Sequence, residues 1–512
     1  MRLAALIFIS CFGMGNLVVH AQFTDRYWAF GDSAGIDFKN LTSPQPANSV
    51  LRVRGTCASI CDSAGDLLFY CGSPNWAQWL APNTIFTDGT VISKSHQVMQ
   101  SGDSLVGALW YQEMAIVPDP GNHNRFYIFS AGVTNATHGF FYSIIDLSYN
   151  GGLGKVVQKN IQLRNDTITD AVAVVRHGNG RDWWVVVRSW KNVPTKDITA
   201  YLVSPTGVVG NPTQFIGPNV AYESFYRLKF NLNGDHLYNT ASTGAIERYN
   251  FNRCTGVFSN RQIYSTPSSV YNSIWDFEIS PDESKIYIYI IYQGALQDKA
   301  YLIQFDTNNS NFLSSADTIS IFSDPDRPGS LKLGPDRKIY SSIYSNVSDT
   351  CFNYLYCAST YTNTNSNLSV INYPDSLGSS CDFQPYSFYL GGHKAYYGLP
   401  NNPNYELDTL HGSPCDTLTA VGLNDLFSKN KELKLYYDKT WQIVFVNAEE
   451  LQGRNATLEF YNINGQLIES ISSETDGSYF SKSSSFASQT DGVYIVRLQT
   501  DKEVLTGKFV KW

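Results

Sequence analysis

Charge is scarce in this chain. Asp, Glu, Lys and Arg make up 16% of its 512 residues, against ~25% in an average soluble domain. Lys plus Arg number 37 and Asp plus Glu 45, a net charge of −8. No long run of Lys or Arg occurs, and mild acidity without one argues against nucleic acid or an anionic membrane surface as partner. Recognisable chemistry is equally scarce. The sequence has no H-E-x-x-H, no G-x-S-x-G, no P-loop and no Rossmann glycine fingerprint, so it gives no catalytic residue and no cofactor. It also lacks a C-x-x-C pair and any histidine at ligand spacing, so no metal site is expected. The eight histidines are scattered singly, and His236, in a turn, reads as solvated surface. Past the N-terminus no apolar run approaches the ~20 residues of a membrane-spanning helix.

Aromatic residues are plentiful instead: 14% of the chain, with 33 Tyr and 29 Phe. So much core-forming side chain rules out general disorder. At the N-terminus Arg2 precedes the apolar stretch Leu3 to Met14, and Leu17-Val18-Val19-His20-Ala21 ends in a small residue. This is the pattern of a secretory signal peptide, residues 1–21, with cleavage between Ala21 and Gln22. Loss of Cys11 with the signal leaves an even number of cysteines, which suggests disulfides in an exported chain. One pair follows from strand geometry. If two strands flank the turn Asp62 to Asp66 and Cys61 faces Leu67, then Cys57 faces Cys71 within bridging distance. Cys351 and Cys357 are the second candidate pair, closing a small loop.

The middle of the chain repeats. An apolar strand, a turn on Asp, Asn or Gly, and a Tyr/Ile/Leu-rich strand recur around Asp62, Asp119, Asn179, Asn233, Asp282 and Asp336. The anchors are roughly 55 residues apart, a period that fits β-propeller blades. Residues 22–399 then hold about seven blades, closed by Tyr27–Phe30 beside Lys394–Tyr397. The anchor acids read as turn caps, and Asp306 to Asn311 as a plain turn rather than a calcium loop. Trp183-Trp184 and Trp76 with Trp79 read as blade packing rather than a sugar platform. Residues 400–432, rich in Pro, Asn and Gly, read as a linker. Short alternating strands resume over 433–512, as in a small Ig-like β-sandwich. The fold class is therefore all-β: a propeller followed by a sandwich.

That last domain resembles the C-terminal sorting domain of the type IX secretion system of Bacteroidota. The residues that carry the likeness are Leu458 to Gln466, with Tyr461 and Gly465; Asp491 to Leu498, with Gly492, Tyr494 and Arg497; and Gly507 to Lys511, with Lys508. Asn462 and Gln466 depart from the family's usual Asp and Arg or Lys. The resemblance implies a sandwich fold and export through the periplasm to the surface or exterior. It also implies an outer-membrane secretion machinery as partner and removal of the domain by a sortase-like peptidase. The repeats resemble Bacteroidota surface propellers through Trp28 to Phe38, Arg253 to Asn260, Leu368 to Cys381 and Gly391 to Pro400, a likeness that brings no activity with it. Without a catalytic constellation, the reading is a non-enzymatic propeller that binds a glycan or protein. The alternative is an extracellular polysaccharide hydrolase or lyase, with carboxylates converging on the channel mouth beside an Arg or His.

Overall fold

The computed structural model describes residues 24–73, 88–107, 110–133, 138–189, 197–210, 214–215, 226–266, 274–292, 299–323, 325–345, 361–416, 433–439, 442–449, 455–463, 465–474, 479–500, 502 and 504–511. The expected signal peptide, Cys351, Cys357, Trp76 and Trp79 lie outside them. Two units are present, Met1–Asp416 and Thr417–Trp512.

In the first unit the described residues form seven antiparallel sheets that follow one another along the chain, each a meander of successive strands except that Gln214–Phe215 pairs back onto Asp197–Ser204. They span residues 27–52, 57–93, 114–164, 168–215, 226–265, 274–323 and 326–389, here blades 1 to 7. The first strands of successive blades lie side by side around a central lumen. Both faces of a blade are covered by its neighbours, so these strands can be buried on both faces rather than on one; Cys57–Cys61 is buried at every position. Blade 1 closes the ring on blade 7. Trp28 meets the Tyr340 ring edge-on at 5.7 Å, and Asp32 N donates to the Lys394 carbonyl at 2.8 Å.

The six anchors of the repeat all fall in the turn between the first and second strands of blades 2 to 7. Five of the six side chains cap those turns: Asp62 Oδ1 accepts from the Ala64 and Asp66 amides, Asp119 from Gly121, Asn179 from Arg181 and Asp182, Asp282 from Ser284 and Asp336 from Lys338, whereas in the Asn233 turn Asn231 is the cap, accepting from His236 N. A carboxylate or amide oxygen two residues upstream of an unpaired N–H is what such a turn needs. Asp306 likewise caps a plain turn, accepting from Asn308 N at 3.0 Å.

Two expectations are corrected here. Cys57 and Cys71 are not bonded; both are buried thiols. The hairpin is present, but a bulge between Ile60 and Cys61 shifts the register by one, so Cys57 faces Gly72 and Cys71 faces Ala58. A one-residue slip moves a side chain to the other face of a sheet. Cys57 accordingly packs with Trp28 and Tyr70, and Cys71 with Ile60 and Ile116. Burial pushes the Cys71 thiol up to about 12, which keeps it inert. Residues 400–416, read as linker, are instead an integral part of the propeller.

The second unit has two sheets. Strands Lys434–Asp438, Ile443–Glu449 and Tyr479–Ser485 form one, and Leu467–Glu474, Asn455–Asn462, Gly492–Thr500 and Val504–Lys511 the other, in those spatial orders. Val444, Val446, Leu458, Phe460, Val496 and Leu498 fill the core.

Candidate functional site at a plugged channel

The first strand of each blade has an edge facing the lumen, whose backbone groups need partners. A segment running from Leu399 to Cys415 supplies them. Asn401 N donates to Cys57 O at 2.8 Å, and its Nδ2 donates to Met114 O and Val172 O at 3.0 and 2.9 Å. Asn402 Oδ1 accepts from Ser59 N at 2.9 Å, and Tyr405 OH donates to Ile116 O at 3.0 Å. The segment thus descends the lumen beside blades 2 to 4 in the direction of their first strands. Arg253 Nη2 then holds the Asp408 carbonyl at 2.6 Å. A Cys254–Cys415 disulfide fastens the end to the turn between the third and fourth strands of blade 5. Gly178 lies beneath it, where an added Cβ would stand 2.5 Å from Cys415 Sγ. Asn401 and Asn402, in a stretch that read as flexible linker, are here side-chain hydrogen bonders to exposed strand edges.

Beside this plug remains a cavity of about 120 Å³, lined among others by Asp25, Gln112, Arg227, Lys229, Asp276 and Lys332. That volume is well below the ~300 Å³ of a small-molecule pocket. Its charges are mostly matched. Arg227 Nη1 donates to Asp170 Oδ2 at 2.9 Å and its Nε lies 3.8 Å from Asp276 Oδ1. Lys229 Nζ is 3.3 Å from both Asp276 and Glu278. The remaining oxygens of those acids accept backbone amides: Asp276 Oδ2 from Leu331 N at 2.9 Å, and Glu278 Oε1 from Ile279 N at 3.0 Å. Burial draws the Arg227 guanidinium down, but Asp170 and Asp276 outweigh it and leave it above its usual value. Asp170 Oδ1 is buried without a hydrogen-bond partner. The carboxylates that the enzymatic alternative requires therefore do converge, but inside the ring, and chiefly on Arg227, Lys229 and the backbone.

The mouth of the lumen lies where the first strands begin. Here Arg54 stacks on Tyr397, 4.6 Å from guanidinium to ring centroid, with Tyr111 at 5.9 Å. Arg227 approaches Tyr111 from below at 4.6 Å. Trp275 completes the group, 5.2 Å from Tyr111 and 5.8 Å from Tyr397. Burial draws Arg54 down, yet the surrounding phenols hold its charge above the usual value. Arg54 Nε and Trp275 Nε1 are buried donors without an acceptor. Among the described residues no carboxylate lies within ion-pair distance of Arg54.

Sequence reading missed this group. Trp183 and Trp184, which it did single out, are buried between blades. Trp184 Nε1 donates to Arg253 O at 2.7 Å and Trp183 packs on Tyr405, as the packing reading requires. In the second unit the motif residues do local work. Asn462 Oδ1 accepts from Gln466 N at 3.0 Å across a turn whose Gly465 has φ +77°, so Asn supplies the acceptor oxygen that an Asp would. Arg497 faces Glu459 at 3.2 Å, and Tyr461 OH donates to the same oxygen at 2.8 Å. Tyr494 stacks on Phe509 at 5.5 Å, while Gly492 opens the strand Gly492–Thr500 and Lys508 lies opposite Ile495.

The family model of the secretion system C-terminal sorting domain matches residues 440–512. The end of the chain is a sorting domain. It marks the protein for type IX secretion to the cell surface or exterior. No curated protein matches the chain. Among solved structures the chain is similar to a functionally unknown protein from Desulfotomaculum acetoxidans, at 12% identity over 77% of this chain and 95% of that one, TM-score 0.33. It is also similar to the Cps50 (Swd1) β-propeller domain of Myceliophteria thermophila, at 10% identity over 62% and 96%, TM-score 0.34. A third is the Xyloglucan PUL GH43B protein of Bacteroides ovatus, at 9% identity over 78% and 89%, TM-score 0.32. Nothing about ligand or activity follows from likeness at this level.

Proposed function

We propose that this is a surface or secreted binding protein of a Bacteroidota cell. On this reading the type IX machinery of the outer membrane exports it from the periplasm, and its propeller takes a glycan or protein ligand at the mouth of the ring. The supporting observation is the contrast between lumen and mouth. The lumen is narrowed by Leu399 to Asp408 to a small cavity, and its Asp276 and Glu278 are held by cations and amides. At the mouth, the buried donors Arg54 Nε and Trp275 Nε1 stand without an acceptor among stacked aromatics. Aromatic faces with a few polar groups suit a sugar or a peptide side chain. A polysaccharide hydrolase or lyase is the second reading, favoured by the unpartnered Asp170 Oδ1 beside Arg227.

The test is affinity electrophoresis of the exported protein in a panel of neutral and acidic polysaccharides, with Arg54→Ala and Trp275→Phe alongside. At least one polymer should retard the wild type, and Arg54→Ala should weaken that binding roughly tenfold or more, the worth of a charged hydrogen bond. Retardation untouched by either substitution would remove the mouth from the reading. Release of new sugar ends, abolished by Asp170→Asn, would replace binding with catalysis.

A further inference from the structure

At the opposite end of the ring from the mouth, two neighbouring turns bring three ligand-type side chains together. Asp235 and His236 end the first turn of blade 5, and Glu283 sits in the equivalent turn of blade 6. His236 Nδ1 lies 2.9 Å from Glu283 Oε2 and 3.8 Å from Asp235 Oδ1, and one donor atom from each of the three fits within 4.8 Å of the others. Ligands ~2.0–2.2 Å from a tetrahedral zinc ion stand about 3.3–3.6 Å apart, between those two separations. Neighbouring groups orient the donors. Asn231 Nδ2 donates to Asp235 Oδ1 at 2.6 Å, and its own oxygen accepts from His236 N at 3.0 Å. Thr307 Oγ1 donates to the Glu283 carbonyl at 2.6 Å, holding that residue in a left-handed conformation, φ +61°.

A bare histidine–carboxylate hydrogen bond does not account for all of this. Nδ1 carries at most one hydrogen and can serve one acid, so with Glu283 as its partner the Asp235 carboxylate is left to Asn231 Nδ2 and water rather than to the imidazole. A divalent cation satisfies all three donors, and imidazole with two carboxylates suits zinc. Asp235 is exposed, so the outer side is open to water as a fourth ligand. We infer that Asp235, His236 and Glu283 form a three-ligand zinc-type site that joins blade 5 to blade 6. No local motif marks it, because Glu283 is 47 residues from His236 and only the ring brings their turns together.

The test is calorimetric titration of the metal-stripped, disulfide-intact full chain with Zn²⁺, alongside melting with and without zinc. The wild type should show a tight site lost in His236→Ala. Asp235→Asn, at an exposed position, should weaken it at least about tenfold, and Asn231→Ala about 10–100-fold by releasing the Asp235 carboxylate. Should His236→Ala fail to fold, Asp235→Asn decides alone. The inference is overturned if zinc gives no saturable heat, if Asp235→Asn binds zinc as the wild type does, or if Ca²⁺ binds there and Zn²⁺ does not.

Discussion

Asp25 sits at the lumen with both of its hydrogen bonds on one oxygen, Asn402 Nδ2 at 2.5 Å and Trp28 Nε1 at 3.0 Å. Burial pushes its pKa from 3.8 up to about 6, with Lys332 opposing. Between those values the folded chain binds more protons than the unfolded one, so this residue's contribution is full below about pH 3.8, declines as pH rises, and is gone above about 6. Asn at this position keeps the acceptor and has no charge to bury. Asp25→Asn should therefore gain on the wild type between pH 4 and 7, by up to roughly 3 kcal/mol, measured by urea unfolding at both pH values. An advantage that does not grow with pH would sink this account. Parity makes some of the lumen legible in the sequence. Arg227 and Lys229 alternate in Tyr226–Phe230, and Asp276 and Glu278 in Ile274–Ile279, and charges two apart on an otherwise apolar strand share one face. Arg54 and Tyr397 carry no such signal; 343 residues apart, they meet only because the ring closes.

Among elements, the hairpins were the most readable part, since a turn cap and two β-rich runs are local. What failed was register and the segment 400–416. The bulge at Ile60–Cys61 leaves no mark in residue type, yet it separates the two cysteines. The Pro and Asn residues of the lumen segment have the composition of a loose tether, and only the unpaired strand edges around them reveal their use. The disulfide joins residues 161 apart in sequence, and closing so long a loop restricts the unfolded chain strongly. Cys254→Ser with Cys415→Ser should lower propeller stability by about 2–4 kcal/mol and expose residues 399–416 to limited proteolysis. The protection of that segment in the doubly substituted protein, at the wild-type rate, would mean that hydrogen bonds alone hold it.

For the molecule as a whole, the two-unit division separates address from function. Protein recovered outside the cell should begin at Gln22 and end between residues 417 and 432, as intact mass and terminal peptides would report. A chain lacking residues 440–512 should stay in the periplasm with its propeller melting unchanged. Full-length protein outside the cell, still ending at Trp512, would mean that the sorting domain is retained. The fastening at Cys415 also decides how the molecule bears load. A pull applied through the chain beyond Asp416 reaches a covalent bond to blade 5 before it reaches any hydrogen bond of the lumen. Because that bond lies at the end of the ring opposite Arg54 and Trp275, tension from a C-terminal tether enters the ring at blade 5 without first peeling residues 399–408 from their strand edges.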